Sequence, residues 1–165
     1  MHKFIFKYRL FLFLIVGWQV SFSQQTAYKF GLEETVHFGS ILPHRPLVNE
    51  IIEGHSFIYE ISFFKNTFGE ESWQQSYQYP RIGISAMYLN LGNEAELGNS
   101  FGVFPYIQFP LTKNKIRWEL RFGYGLGYIE KPFDRATNYK NIAIGSRFNA
   151  LINFNSLWKY QASPA

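Results

Sequence analysis

Residues 116–128 read IRWELRFGYGLGY and alternate without a break. Ile116, Trp118, Leu120, Phe122, Tyr124, Leu126 and Tyr128 occupy the even positions; Arg117, Glu119, Arg121, Gly123, Gly125 and Gly127 occupy the odd ones. Side chains of an extended chain point to opposite faces in turn, so period two predicts a β-strand with one apolar face and one charged or empty face. Such a run extends roughly 40 Å at ~3.3 Å per residue, more than most globular strands need and enough to cross a bilayer at a tilt.

The same rhythm recurs along the chain and predicts six strands, near 28–41, 56–65, 81–91, 101–111, 115–129 and 142–155. In the first, Tyr28, Phe30, Leu32, Val36 and Phe38 alternate with Lys29, Gly31, Glu33, Thr35 and His37. Phe57, Tyr59, Ile61 and Phe63 oppose Ser56, Glu60 and Ser62 in the second; Ile142, Ile144, Phe148, Ile152 and Phe154 oppose Arg147, Asn149 and Asn153 in the last. Stretches rich in Gly, Pro, Asn and charge separate them, at 43–55, 66–80, 92–100, 112–115 and 131–141. Pro105 and Pro110 each remove a ladder donor, which predicts a fourth strand that is bulged, bent or at an edge. Helical periodicity is hard to find after the first two dozen residues.

The N-terminal segment has a different grammar. Lys3, Lys7 and Arg9 precede an apolar run, Leu10 to Val16, and Ser21-Phe22-Ser23 places small residues before Gln24. That order predicts a secretory signal peptide over 1–23, with a transmembrane anchor as the alternative. A partial β-barrel domain follows over 24–155 and a divergent tail over 156–165. Without the three leader cations, 13 Lys and Arg stand against 12 Asp and Glu, a balance of +1 that implies no nucleic-acid partner. The chain has no cysteine, so no disulfide framework holds it.

Alternation alone fits two architectures. In a soluble lipocalin-like barrel or sandwich the apolar face points inward; in a membrane barrel it meets lipid and the charged face lines the lumen. Strand length and the export signal favour the membrane barrel. So does the odd face of 116–128, where Arg117, Glu119 and Arg121 suit a charged lumen network and the glycines leave room in a narrow bore. Trp118, Tyr124, Tyr128, Tyr88 and Tyr106 are candidates for interfacial girdles. The fold class expected is therefore all-β, an antiparallel outer-membrane β-barrel of which about six strands are present.

Hydrolysis by an activated serine needs Ser, His and a carboxylate within hydrogen-bond reach. His2 falls in the leader. His37 and Ser40 are three apart, on opposite faces of a regular strand, and His55 is adjacent to Ser56; neither spacing makes side chains of one strand meet. His44 lies in the first connection. No pair has metal-ligand spacing, and the glycines of GYGLGY lie within a strand rather than before a helix. No catalytic, cofactor-binding or metal-ligating residue is assigned, and no cofactor is expected.

Four segments nevertheless agree in order and spacing with a known family. HFGSILPH (37–44), SYQYPRIGISAMYLNLGNEAELGNSFGVFPYIQFPL (76–111), LRFGYGLGYIEKPFD (120–134) and NIAIGSRFNALINF (141–154) resemble the Bacteroidetes branch of the lipid A 3-O-deacylases, PagL-type proteins also called acyloxyacyl hydrolases. The resemblance implies an outer-membrane barrel esterase that removes an acyl chain from lipid A of lipopolysaccharide, using a Ser, His and Glu set toward the lipid and no metal. It also implies a His-x-Ser-Asn motif on a strand beyond the segment matching 141–154, and these 165 residues contain none. The expectation is a C-terminally truncated member, inactive as written; the alternative is a non-enzymatic structural or ligand-binding barrel.

Overall fold

The computed structural model describes residues 28–43, 46–112, 115–142 and 144–160. The signal-peptide segment 1–23 and His44 lie outside them. Six strands form one antiparallel meander in chain order: β1 (Phe30–Gly39), β2 (Ser56–Asn66), β3 (Arg81–Asn90), β4 (Asn99–Pro110), β5 (Ile116–Ile129) and β6 (Phe148–Tyr160). Two short helices sit in the connections, α1 (Pro46–Ile51) between β1 and β2, and α2 (Ser72–Ser76) between β2 and β3.

The sheet rolls into a half-barrel, and its side chains report the curvature. β1 and β5 are four strand steps apart, which on a flat sheet is about 19 Å at ~4.8 Å per step. Yet Glu33 of β1 and Arg121 of β5 are hydrogen-bonded at 3.2 Å across the concave face. The alternation sorts residues as expected: Leu32, Ile61, Ile84, Val103, Phe122, Tyr124, Leu126 and Ile152 are exposed on the convex face. Glu60, Ser62, Ser85, Gln108, Glu119 and Arg121 are buried on the concave one.

Within the concavity an apolar layer of Phe64, Met87, Phe104 and Tyr106, joined by Ile58, Leu89 and Leu151, packs beside the polar groups. Tyr106 is therefore an interior residue, 5% exposed, and not part of a girdle. In β4 the even residues face inward, so this ring lies in the concavity although its residue type suits a girdle.

β4 lies centrally, paired with both β3 and β5, and neither bulges nor forms an edge. Its register with β5 is the same on both sides of Pro105: Val103 stands opposite Leu126 and Tyr106 opposite Gly123. Pairing lapses only at Phe104 and Pro105, where the proline has no N–H to give. There the two backbones come so close that a Cβ on Gly125 would run into the Val103 carbonyl and the Phe104 backbone. Gly125, which the register sets opposite Phe104, thus accommodates the close approach beside the proline.

The last strand also departs from the expected range. It starts at Phe148, and residues 142 and 144–147 belong to the preceding connection, where the Ile144 carbonyl accepts from the Phe133 N–H. The segment expected to be a tail contributes Ser156 to Tyr160 to β6, with Trp118 paired to Trp158. Ser156 and Leu157 carry the wrong polarity for their faces, which hid the strand. Trp118 Nε1–H donates to Ser156 Oγ at 2.9 Å and satisfies the outward hydroxyl.

Aromatic pairs with exposed or half-buried rings lie near both ends of the strands. One set is Phe38–Phe57, Tyr88–Phe101 and Tyr128–Phe148; the other is Phe30–Phe63, Tyr77–Phe109 and the stacked Trp118–Trp158, whose centroids are 5.4 Å apart. The first set marks the upper end, which carries the connections 40–55, 91–98 and 130–147; the lower end carries 67–80 and 111–115. The upper connections are tied together: Asn93 donates to the Ile51 carbonyl, Asn138 to the Glu96 carbonyl, and Lys131 to the carbonyls of Glu94 and Ala95.

Candidate functional site

The concave face gathers the chain's buried polar chemistry, and each member arrives there through strand parity. Glu60 is fully buried. Its Oε1 accepts from Arg121 Nη1 at 2.6 Å, and its Oε2 from His37 Nε2 at 3.1 Å. An ionised carboxylate has no proton to donate, so His37 carries its proton on Nε2. Ser62 and Ser85 lie 2.9 and 2.8 Å from the same Oε1 and 2.6 Å from one another. Each hydroxyl has one proton, so one serine donates to Glu60 and the other to its fellow serine.

Arg121 is the hub. Its Nε donates to Gln108 Oε1 at 3.0 Å, its two terminal nitrogens reach Glu60 and Glu33, and its guanidinium lies 4.1 Å from the Tyr106 ring centroid. Glu33 is shared with Arg81, whose guanidinium covers Phe64. Gln108 Nε2 donates to Glu119, which also pairs with Lys159 at 3.0 Å. The network thus uses side chains from all six strands. Buried charges persist when each is paired and hydrogen-bonded, and here they are.

The histidines considered as bases are placed as follows. His37 meets Glu60 on the neighbouring strand, two residues along from its register partner Ile58 and on the same face. His55 Nδ1 lies 3.1 Å from Ser40 Oγ, because the pairing of Gly39 with Ser56 brings the next residues of the hairpin together. Neither Ser40 nor Ser56 is near His37 by any hydrogen bond, and the exposed Ser40–His55 pair has no carboxylate on the far ring nitrogen among the described residues. Ser56 is buried with its hydroxyl unpartnered. Among the described residues no group of three His, Cys, Asp or Glu is arranged to hold a metal ion.

One residue escaped notice in the sequence. Glu34 sits on the convex face opposite Ile61 and is exposed there, the one charged side chain among the described residues between the two aromatic sets on that face. Its position beside Glu33 masked it, since two adjacent acids read as one polar stretch.

The polar groups inside and the apolar residues outside are the arrangement expected of a barrel in lipid. Neither curated proteins nor solved structures include a match to this chain. Residues 57–164, from the second residue of β2 to beyond the end of β6, match the family model described as lipid A 3-O-deacylase (PagL). The match covers most of the chain, and the protein belongs to the lipid A 3-O-deacylase family.

Proposed function

We propose that this protein acts in the outer membrane on lipid A of lipopolysaccharide, as an ester hydrolase that removes an acyl chain. Family membership over residues 57–164 is the observation that carries the reading. The aromatic sets support the location. Trp118 and Tyr128 are ten residues apart on β5, and Phe101 and Phe109 eight apart on β4. At ~3.3 Å per residue and a tilt of about 40° those spacings correspond to roughly 20–25 Å, close to the apolar band of outer-membrane barrels.

The reaction class requires a serine whose proton passes to an imidazole as the hydroxyl attacks the ester carbonyl, with a carboxylate orienting the ring. The described histidines do not supply that set. His37 is committed to Glu60 in the lumen, and His55 faces Ser40 without a third member. We therefore assign the network of Arg121, Glu60 and Glu33 to holding the barrel. The 165 residues, which contain no His-x-Ser, are proposed to be insufficient for turnover by themselves.

Mass spectrometry of lipid A incubated with the protein tests this. The 165-residue chain is expected to leave lipid A unchanged, and a form extended by a strand bearing His-x-Ser to remove one acyl mass. Deacylation by the 165 residues would overturn the insufficiency; no deacylation by any extended form would favour a non-enzymatic lipid-binding barrel. The mutual pairing of the central charges, Arg121 with Glu60 and Glu33, is the feature that favours that second reading.

A further inference from the structure

The lower mouth of the half-barrel holds a cavity of about 390 Å³, lined among others by Arg117, Arg81, Gln78, Tyr79 and Glu119. A second opening of about 510 Å³ shares Arg117, Arg81, Tyr79 and Asn66 with it, so the two form one vestibule. Cations dominate its charge balance. Arg117 stands directly opposite Lys159 in the β5–β6 register, on the same inward face. Like charges directly opposed across a ladder are unfavourable unless something separates or neutralises them. The nearby carboxylates are already engaged: Glu119 by Lys159, and Glu33 by Arg81 and Arg121. Among the described residues, Arg117 makes no hydrogen bond and no ion pair.

The rim of the vestibule is held in an unusual conformation. Gln78 and Tyr79 are consecutive non-glycine residues with φ of 61° and 60°. Such left-handed pairs persist only when their surroundings impose them, and they cluster at ligand-binding turns. Here the strained turn places both residues at the cavity beside the two arginines.

From this juxtaposition we propose that the vestibule binds a phosphate group, with Arg117 as its principal ligand and Arg81 and the Gln78–Tyr79 turn beside it. Guanidinium forks match the oxygens of a phosphate, and a cavity of this size admits a headgroup but not acyl chains. The inference does not depend on whether the chain deacylates lipid A. A phosphate of this kind comes either from a lipid headgroup or from free phosphate, and the test separates them.

The measurement is isothermal titration of the detergent-solubilised protein with inorganic phosphate and, separately, with dihexanoyl phosphatidylglycerol, using dihexanoyl phosphatidylcholine as the zwitterionic comparison. Arg117→Gln loses no contact in the structure, so its fold is expected to be intact, and Arg117→Lys keeps the charge without the fork. Binding of phosphatidylglycerol alone supports a headgroup site; binding of both anions supports a site for the phosphate itself. In either case Arg117→Gln weakens binding about tenfold and Arg117→Lys less. Absence of binding by both anions overturns the proposal, as does equal affinity for phosphatidylcholine or affinity unchanged in Arg117→Gln.

Discussion

Arg121 and Glu33 are 88 positions apart in sequence and four strands apart in the sheet, yet their side chains meet at 3.2 Å inside the half-barrel. That bond, with the Arg121–Glu60 pair, ties the first two strands to the fifth and holds the sheet in its rolled form. Arg121 is 1% exposed, and its removal would leave the fully buried Glu60 without its arginine while Glu33 keeps Arg81. Arg121→Ala is expected to cost about 3–5 kcal/mol in denaturant unfolding from detergent micelles. Pairing Arg121→Met with Glu60→Gln should recover part of that loss, because the second change removes the stranded charge.

Glycine in β5 offers a paired comparison. A methyl at Gly125 would strike the backbone of Val103 and Phe104, which cannot swing aside as a side chain could. At Gly127 the nearest atoms to such a methyl are 3.8 Å away, on Leu151, an ordinary contact. Gly125→Ala should destabilise by about 1–3 kcal/mol. Gly127→Ala should be neutral or gain up to about 1 kcal/mol through a stiffer unfolded chain. Equal effects at the two positions would contradict the close approach of β4 and β5.

Glu34 carries a charge into the convex apolar band. In bilayers, Glu34→Leu is expected to raise stability by up to roughly 2 kcal/mol, since acidic residues cost less there than basic ones. Unfolding measured in both vesicles and aqueous micelles separates the lipid contribution, which should be larger in vesicles.

The upper connections contain a local pH dependence. The Thr137 and then the Ala136 backbone N–H groups donate to Asp134 and hold its carboxyl below its ordinary range. A depressed value means that the turn is stabilised at all pH above the unfolded aspartate value of about 3.9, and that the stabilisation is lost as pH falls through the lower folded value. The Thr137 amide resonance should titrate with a midpoint under 3.9. In Asp134→Asn that titration should vanish.

Period two in the sequence was enough to find six strands, to place the first five closely and to assign the faces of β5, because burial of one face favours that alternation. It was weaker where polarity is decided by a partner across the sheet. Ser156 and Leu157 have inverted polarity, and the strand there is fixed by Trp118 instead. Ile142 and Ile144 keep the alternation but lie in a connection, where Ile144 bonds to Phe133. The polar cluster was legible in part. Glu119 and Arg121 announce a charged interior, but nothing local to Glu60 or Glu33 names Arg121 as their partner. His37–Glu60 and Ser40–His55 depend on the β1–β2 register, which spacing within one strand cannot supply.

The central claim is that the face of Ile61, Ile84 and Ala86 meets lipid while that of Ser62 and Ser85 meets the lumen. The chain has no native cysteine, so single cysteines can be placed at these five positions without background and spin-labelled in phospholipid vesicles. The account predicts high accessibility to oxygen and low accessibility to a polar nickel chelate at 61, 84 and 86, with labels at 62 and 85 shielded from oxygen. The reverse pattern, with 61, 84 and 86 shielded and 62 and 85 open to oxygen, would contradict it.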